Sequence, residues 1–149
     1  MTRRTGRFAG LFAVTSLWLA VVGCDCVGPP TTTPPTPVGN IRSVVADDGV
    51  DLVLANLEQP LRALQVDVEV TGASATTLIA IGDYDLVEGG LDQPKASFTA
   101  VVSDTRRLPL HDGAVAHITL NGNGSVSLQN AAAVDADGNK RPLTVVVSE

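Results

Sequence analysis

The stretch Leu61-Arg62-Ala63-Leu64-Gln65-Val66-Asp67-Val68-Glu69-Val70 repeats with a period of two. Leu64, Val66, Val68 and Val70 fall on one side, and Ala63, Gln65, Asp67 and Glu69 on the other. Successive side chains of a β-strand point to opposite faces, so this run is a strand with one face for a core and one for solvent. Working outward, Ala114, Ala116, Ile118 and Leu120 alternate with Val115, His117 and Thr119 in the same way. Val126 and Leu128 alternate with Ser125, Ser127 and Gln129, and Leu143, Val145 and Val147 close the chain. The more continuous apolar runs Val50 to Leu57 and Leu78 to Ile81 read as strands covered on both faces or at sheet centres. Ile41 to Ala46 and Ser97 to Ser103 add two more strands.

Turn chemistry separates these runs. Asp47-Asp48-Gly49, Thr71-Gly72, Gly89-Gly90, Asp112-Gly113, Asn121-Gly122-Asn123-Gly124 and Asp137-Gly138-Asn139 supply residues that tolerate the backbone angles of tight turns. Pro60, Pro94, Pro109 and Pro142 stand at strand beginnings or between strands, where no ladder donor is lost. No window shows a sustained helical period. The expectation is an all-β domain, an eight- to nine-stranded antiparallel β-sandwich, over residues 40–149.

The region before the domain has a different composition. Arg3, Arg4 and Arg7 precede Phe8 to Val22, fifteen residues without a charge. That run is shorter than the ~20 residues a spanning helix needs, and it stands where a secretory signal stands. It ends in Val21-Val22-Gly23-Cys24, which resembles the bacterial lipobox. The resemblance implies cleavage between Gly23 and Cys24 and attachment of diacylglycerol to the Cys24 thiol, with residues 1–23 as the signal peptide. Cys26 is a poorer anchor, because Asp25 rather than a small residue precedes it. With Cys24 acylated, Cys26 has no partner within the chain. Three acyl chains on Cys24 would exceed what stable membrane attachment requires. The expected location is the cell envelope, periplasmic or surface-exposed.

Residues 24–39 are then a tether. Val27 to Val38 reads VGPPTTTPPTPV, and proline at this density favours an extended polyproline II segment. At ~3.1 Å per residue it spans roughly 35 Å and holds a domain clear of the headgroups.

Charge narrows the partners. The chain has ten basic and sixteen acidic residues. Loss of Arg3, Arg4 and Arg7 with the signal peptide deepens its net charge from −6 to −9. An anionic protein repels phosphate backbones, which speaks against nucleic acid. Beyond residue 23 the aromatic side chains are Tyr84 and Phe98 alone, and Phe98 alternates with Ser97 and Thr99 as a core residue would. Sugar-binding faces stack pyranose rings on aromatic planes, so a carbohydrate ligand is disfavoured.

The order of the motifs resembles cohesin-like domains. Leu61 to Val70 is similar to their third strand. Leu110-His111-Asp112-Gly113-Ala114-Val115-Ala116-His117-Ile118-Thr119-Leu120 is similar to their L-x-D-G-x-x-A-x-I-T-F strand. Ser127-Leu128-Gln129-Asn130 followed by Val134-Asp135-Ala136-Asp137-Gly138-Asn139 is similar to their L-x-N-x-x-x-x-D-x-x-G ending. Thr71-Gly72-Ala73-Ser74 replaces the Asp-Pro that often follows the third strand, and the domain is shorter than typical members. The resemblance implies a nine-stranded jelly roll and a protein partner, of which a calcium-loop dockerin-like module is the known kind. It also implies a partner-binding face that includes the outward side of the third strand, here Gln65, Asp67 and Glu69.

Catalytic motifs are absent: the chain has no HExxH, no G-x-S-x-G, no P-loop and no G-x-G-x-x-G. No catalytic residue, metal site or cofactor is expected. His111 and His117 lack a third ligand at fixed spacing. Asp47, Asp48 and Asp51 offer hard oxygens, as do Asp135, Asp137 and Asn139. A twelve-position calcium loop begun at Asp135 would end on Val146 rather than an acid, so a hairpin turn is favoured there. The expected function is a non-catalytic lipoprotein displaying a protein-binding module. A carbohydrate-binding module and a purely structural envelope lipoprotein stand as alternatives.

Overall fold

A computed structural model describes residues 34–88, 91–104 and 108–147. The strands are β1 (Asn40–Ala46), β2 (Gly49–Ala55), β3 (Leu61–Thr71), β4 (Ser74–Ala80), β5 (Tyr84–Glu88), β6 (Ser97–Asp104), β7 (Gly113–Asn121), β8 (Ser125–Asp135), β9 (Lys140–Pro142) and β10 (Thr144–Val145). They form two five-stranded sheets, β10-β1-β2-β7-β4 and β5-β6-β3-β8-β9. The inward side chains of both sheets meet in one core. Ile41, Leu52, Leu54, Leu78 and Ile118 come from the first sheet and Leu64, Val66, Val68, Val102 and Leu128 from the second. Each such side chain taken fully out of water contributes about 1.5–3 kcal/mol. The domain is the all-β sandwich expected from the period-two runs.

Among the described residues ten strands stand where eight or nine are expected, in part because the carboxy-terminal run does not stay in one sheet. After β9 pairs with β8, Leu143 turns into the core, 6% exposed. Thr144 and Val145 then pair in parallel with Asn40 and Ile41, so one pair in the sandwich is not antiparallel. Val147, expected on an apolar face, is 85% exposed. β5 has no counterpart among the strands expected from the sequence.

Among several register shifts, two bulges alter the alternation on β7 and β8. On β7, Ala116 lies opposite Leu52 and Ala114 opposite Val53, leaving Val115 as the extra residue. Val115 and Ala116 are therefore both buried, whereas strict alternation puts Val115 on the polar face. On β8, Gln129 lies opposite Asp67 and Ala132 opposite Gln65. Asn130 takes up the slack with φ of 49°, a left-handed conformation that Asn adopts more readily than most residues. Beyond it Ala131, Ala133 and Asp135 turn inward.

β4 corrects a further expectation. The run Leu78 to Ile81 is not doubly covered: β4 is an edge strand and Ile79 is 52% exposed. The segment read as tether also gives up its last residues to the domain. Val38 is 1% exposed, its N–H bonds Pro142 O at 3.1 Å, and its carbonyl accepts from Glu58 N–H at 3.0 Å. In the turn from β1 to β2, a Cβ on Gly49 would lie 1.9 Å from the Ile118 carbonyl oxygen, so glycine alone lets the two backbones approach there.

Candidate functional site

β3 is the central strand of the second sheet, flanked by β6 and β8. Its inward residues Leu64, Val66, Val68 and Val70 fix the register, and that register turns Gln65, Asp67 and Glu69 outward together. Gln65 and Glu69 are exposed and Asp67 is half-buried. Across the ladder, Asp67 lies opposite Thr99 of β6 and Gln129 of β8, and Glu69 opposite Ser97 and Ser127.

These neighbours make a hydrogen-bonded row. Thr99 Oγ1 donates to Asp67 Oδ1 at 2.7 Å, and Asn130 Nδ2 donates to Asp67 Oδ2 at 2.9 Å. Gln129 Nε2 donates to Glu69 Oε2 at 3.1 Å. The Thr99 hydroxyl and then the Asn130 amide hold the Asp67 carboxyl below the usual carboxylate range, against a smaller opposing effect of burial. Both oxygens are thus fixed in direction while the face stays open to solvent. The bulge at Asn130 has a use here, because its left-handed backbone swings the amide toward Asp67. Sequence reading singled out Asp67 but not Thr99 or Asn130, which lie 32 and 63 residues away along the chain.

Beside this polar row the same face becomes apolar. Ala63, Val101, Ala132 and Val134 line a shallow recess of about 120 Å³, rimmed by Gln65 and Lys140. The face therefore offers aliphatic contact next to oriented hydrogen-bond acceptors, arranged on rigid strands.

Two other polar clusters lie away from this face. Asp135, at the end of β8, is 2% exposed. Its Oδ1 accepts from the Asn139 N–H at 2.8 Å and the Asp137 N–H at 3.0 Å, and its own N–H bonds Asn139 O. The Asn139 backbone bond, with its side-chain amide, the Asp137 N–H and the charge of Arg141, holds this carboxyl below its ordinary value despite burial. Asp135 closes the hairpin into β9, as the turn reading expects. His117 lies on the outer face of the first sheet, its Nδ1 2.7 Å from Asp51 Oδ1 and its Nε2 3.0 Å from Asp48 Oδ1. It fastens the turn between β1 and β2 to β7, a link that separate readings of the His and Asp residues missed. His111 is exposed in the loop before β7, where Asp112 Oδ1 accepts the Leu57 N–H at 3.0 Å. Among the described residues no group of three or more His, Cys, Asp or Glu is placed to hold a metal ion. Gly23, Cys24 and Cys26 lie outside the described residues.

Among solved structures, the domain is similar to the cohesin module of a family 33 glycoside hydrolase from Clostridium perfringens. The TM-score is 0.59 at 14% sequence identity, covering 76% of this chain and 100% of that one. The domain has a cohesin-like fold. A non-cellulosomal cohesin from the hyperthermophilic archaeon Archaeoglobus fulgidus is also similar, with a TM-score of 0.50 at 12% identity over 74% of this chain and 91% of that one. No family model and no curated protein matches the sequence. Identities this low establish the cohesin-like architecture alone.

Proposed function

We propose that this chain is a non-catalytic envelope lipoprotein, anchored through Cys24, whose cohesin-like domain captures a protein partner on the outer face of β3, β6 and β8. The single observation that carries the binding half is the Asp67 row. A carboxylate fixed at both oxygens by Thr99 and Asn130, beside an aliphatic recess, suits recognition by pre-organisation rather than by area. The anchoring half rests on the Val21-Val22-Gly23-Cys24 motif and the proline-rich segment after it. A protein partner is favoured over sugar because Tyr84 and Phe98 are half-buried against the core, which leaves this face without an aromatic platform. A dockerin-like module with paired calcium loops is the partner to try first.

Membranes carrying the full chain, incubated with such a module, should retain it, and chelation of calcium should release it. Asp67→Ala combined with Glu69→Ala should weaken retention by at least about tenfold, since truncating a central, well-packed anchor costs more than about 1.4 kcal/mol. Unchanged retention in that variant would show that the face is wrong. The anchor is tested separately: Cys24→Ala should move the chain out of the membrane pellet, and a chain that stays there refutes lipid attachment.

A further inference from the structure

The outer face of the second sheet carries both signs of charge, and they do not cancel locally. Asp67 and Glu69 accept their hydrogen bonds from the neutral groups of Thr99, Asn130 and Gln129. Those bonds fix the direction of each carboxylate and leave its charge uncompensated. An ionised carboxyl has about four acceptor positions, so both oxygens of Asp67 can still take a donor from outside. Among the described residues no cation is paired with either acid, and no acid is paired with Lys140.

Register keeps the two signs apart. Lys140 on β9 lies opposite Val134 on β8, which lies opposite Ala63 on β3. Asp67 and Glu69 stand farther along β3. At ~3.3 Å per residue and ~4.8 Å per strand, Lys140 and Asp67 are roughly 16 Å apart, too far for a direct pair. Between them is the recess of about 120 Å³ formed by Ala63, Val101, Ala132 and Val134, with Lys140 on its rim. Ala63 is also opposite Ser103, and Ser103 is opposite the exposed Asp85 of β5, so a third acid stands on the edge away from Lys140. Arg62 lines a separate depression with Pro60 and Asp104. From the β9 edge inward, the face thus runs base, aliphatic recess, acids.

We infer that the captured protein docks in one orientation, which Lys140 selects. Its contact segment seats one aliphatic side chain in the recess, turns an acidic side chain toward Lys140 and a basic one toward Asp67 and Glu69. This rests on the reading that the outer face of β3, β6 and β8 captures a protein. Charge complementarity names the segment. Turned end for end, it would set its acid against Asp67 and Glu69 and its base against Lys140, and like charges brought together across an interface suppress the wrong arrangement. A uniformly basic segment is opposed at Lys140, and a uniformly acidic one at Asp67 and Glu69. Lys140 is therefore a specificity-determining residue, although it stands at the rim and outside the hydrogen-bonded row.

The test uses the full chain in membranes, with the dockerin-like calcium-loop module as probe. Lys140→Glu should weaken retention about five- to tenfold at low salt and Lys140→Gln about twofold, both losses shrinking toward about 1 M salt. Lys140 is exposed on the three-residue β9, so the unfolding midpoint of either variant should match the parent's. Charge reversals in the module then read the orientation. Changing one of its acids to lysine should restore retention by the Lys140→Glu chain and not by an Asp67→Lys chain, and changing one of its bases to glutamate should do the opposite. Retention lost in Asp67→Ala with Glu69→Ala but untouched by Lys140→Glu would overturn the orientation and leave the face standing. A parent chain that retains no module would overturn the face and the orientation together. A loss at Lys140 that no reversal in the module repairs, or a parent dimer in sedimentation that Lys140→Glu dissolves, would overturn the orientation as well.

Discussion

Asp67 and Asp135 are both held below the ordinary carboxylate range by hydrogen bonds, yet they differ in who donates. Asp135 is buried, and its chief donors are backbone N–H groups of the turn it closes. Those donors cannot turn elsewhere without the turn coming apart. Asp67 stands on an open face, and its donors are the side chains of Thr99 and Asn130, which fix its oxygens without closing a turn. The same chemical effect thus belongs to architecture at one acid and to recognition at the other. A lowered carboxyl therefore says little about function until its donors are named.

The contrast breaks if substitutions at the two acids behave alike. The largest loss of stability is expected for Asp135→Ala, which leaves the N–H groups of Asp137 and Asn139 without their acceptor at the end of β8. The unfolding midpoint should drop by about 10 °C in thermal denaturation followed by circular dichroism. A drop no larger than that of Asp67→Ala would erase the distinction.

Next comes Asn130, which serves the Asp67 face through its backbone. Asn130→Val places a β-branched residue at φ of 49° and should cost about 1–3 kcal/mol in denaturant unfolding. Asn130→Gly keeps that conformation and removes only the amide. It should cost less and raise the Asp67 titration midpoint in carboxyl-resolved NMR. If the two variants lose equal stability, the left-handed bulge is not what Asn130 supplies.

How far the sequence could be read follows from which contacts are local. The alternation at Leu64 to Val70 needs no partner strand to interpret, so β3, its inward face and the outward set Gln65, Asp67 and Glu69 were legible. The bulges at Val115 and Asn130 were not, because an extra residue shows only against the strand opposite. Leu78 to Ile81 misled for another reason: apolar content cannot tell a covered strand from an unguarded edge. Thr99 and Asn130 reach Asp67, and Asp48 and Asp51 reach His117, only through register set far along the chain.

Acid should reveal both carboxylates together. Each has its folded value lowered, so each contributes stability that is present above the unfolded value of about 3.9 and is lost as pH falls through the folded one. The domain should therefore lose stability below about pH 4. Asp135→Asn cannot take up that proton, so the gap between the parent and this variant should narrow over the same window. A gap that stays constant down to pH 2 would mean that folding does not lower the Asp135 carboxyl below its unfolded value.

The smallest effect on stability is expected at Asp67. Asp67→Ala frees Thr99 and Asn130, but both lie where water can replace the lost acceptor, so the unfolding midpoint should move by roughly 2 °C or less. That small shift gives the variant its use. A change in partner capture that accompanies it reports on the face itself and not on unfolding. A large drop in midpoint would instead place Asp67 with Asp135, as an acid the sandwich needs in order to fold, and its outward position would no longer argue for recognition.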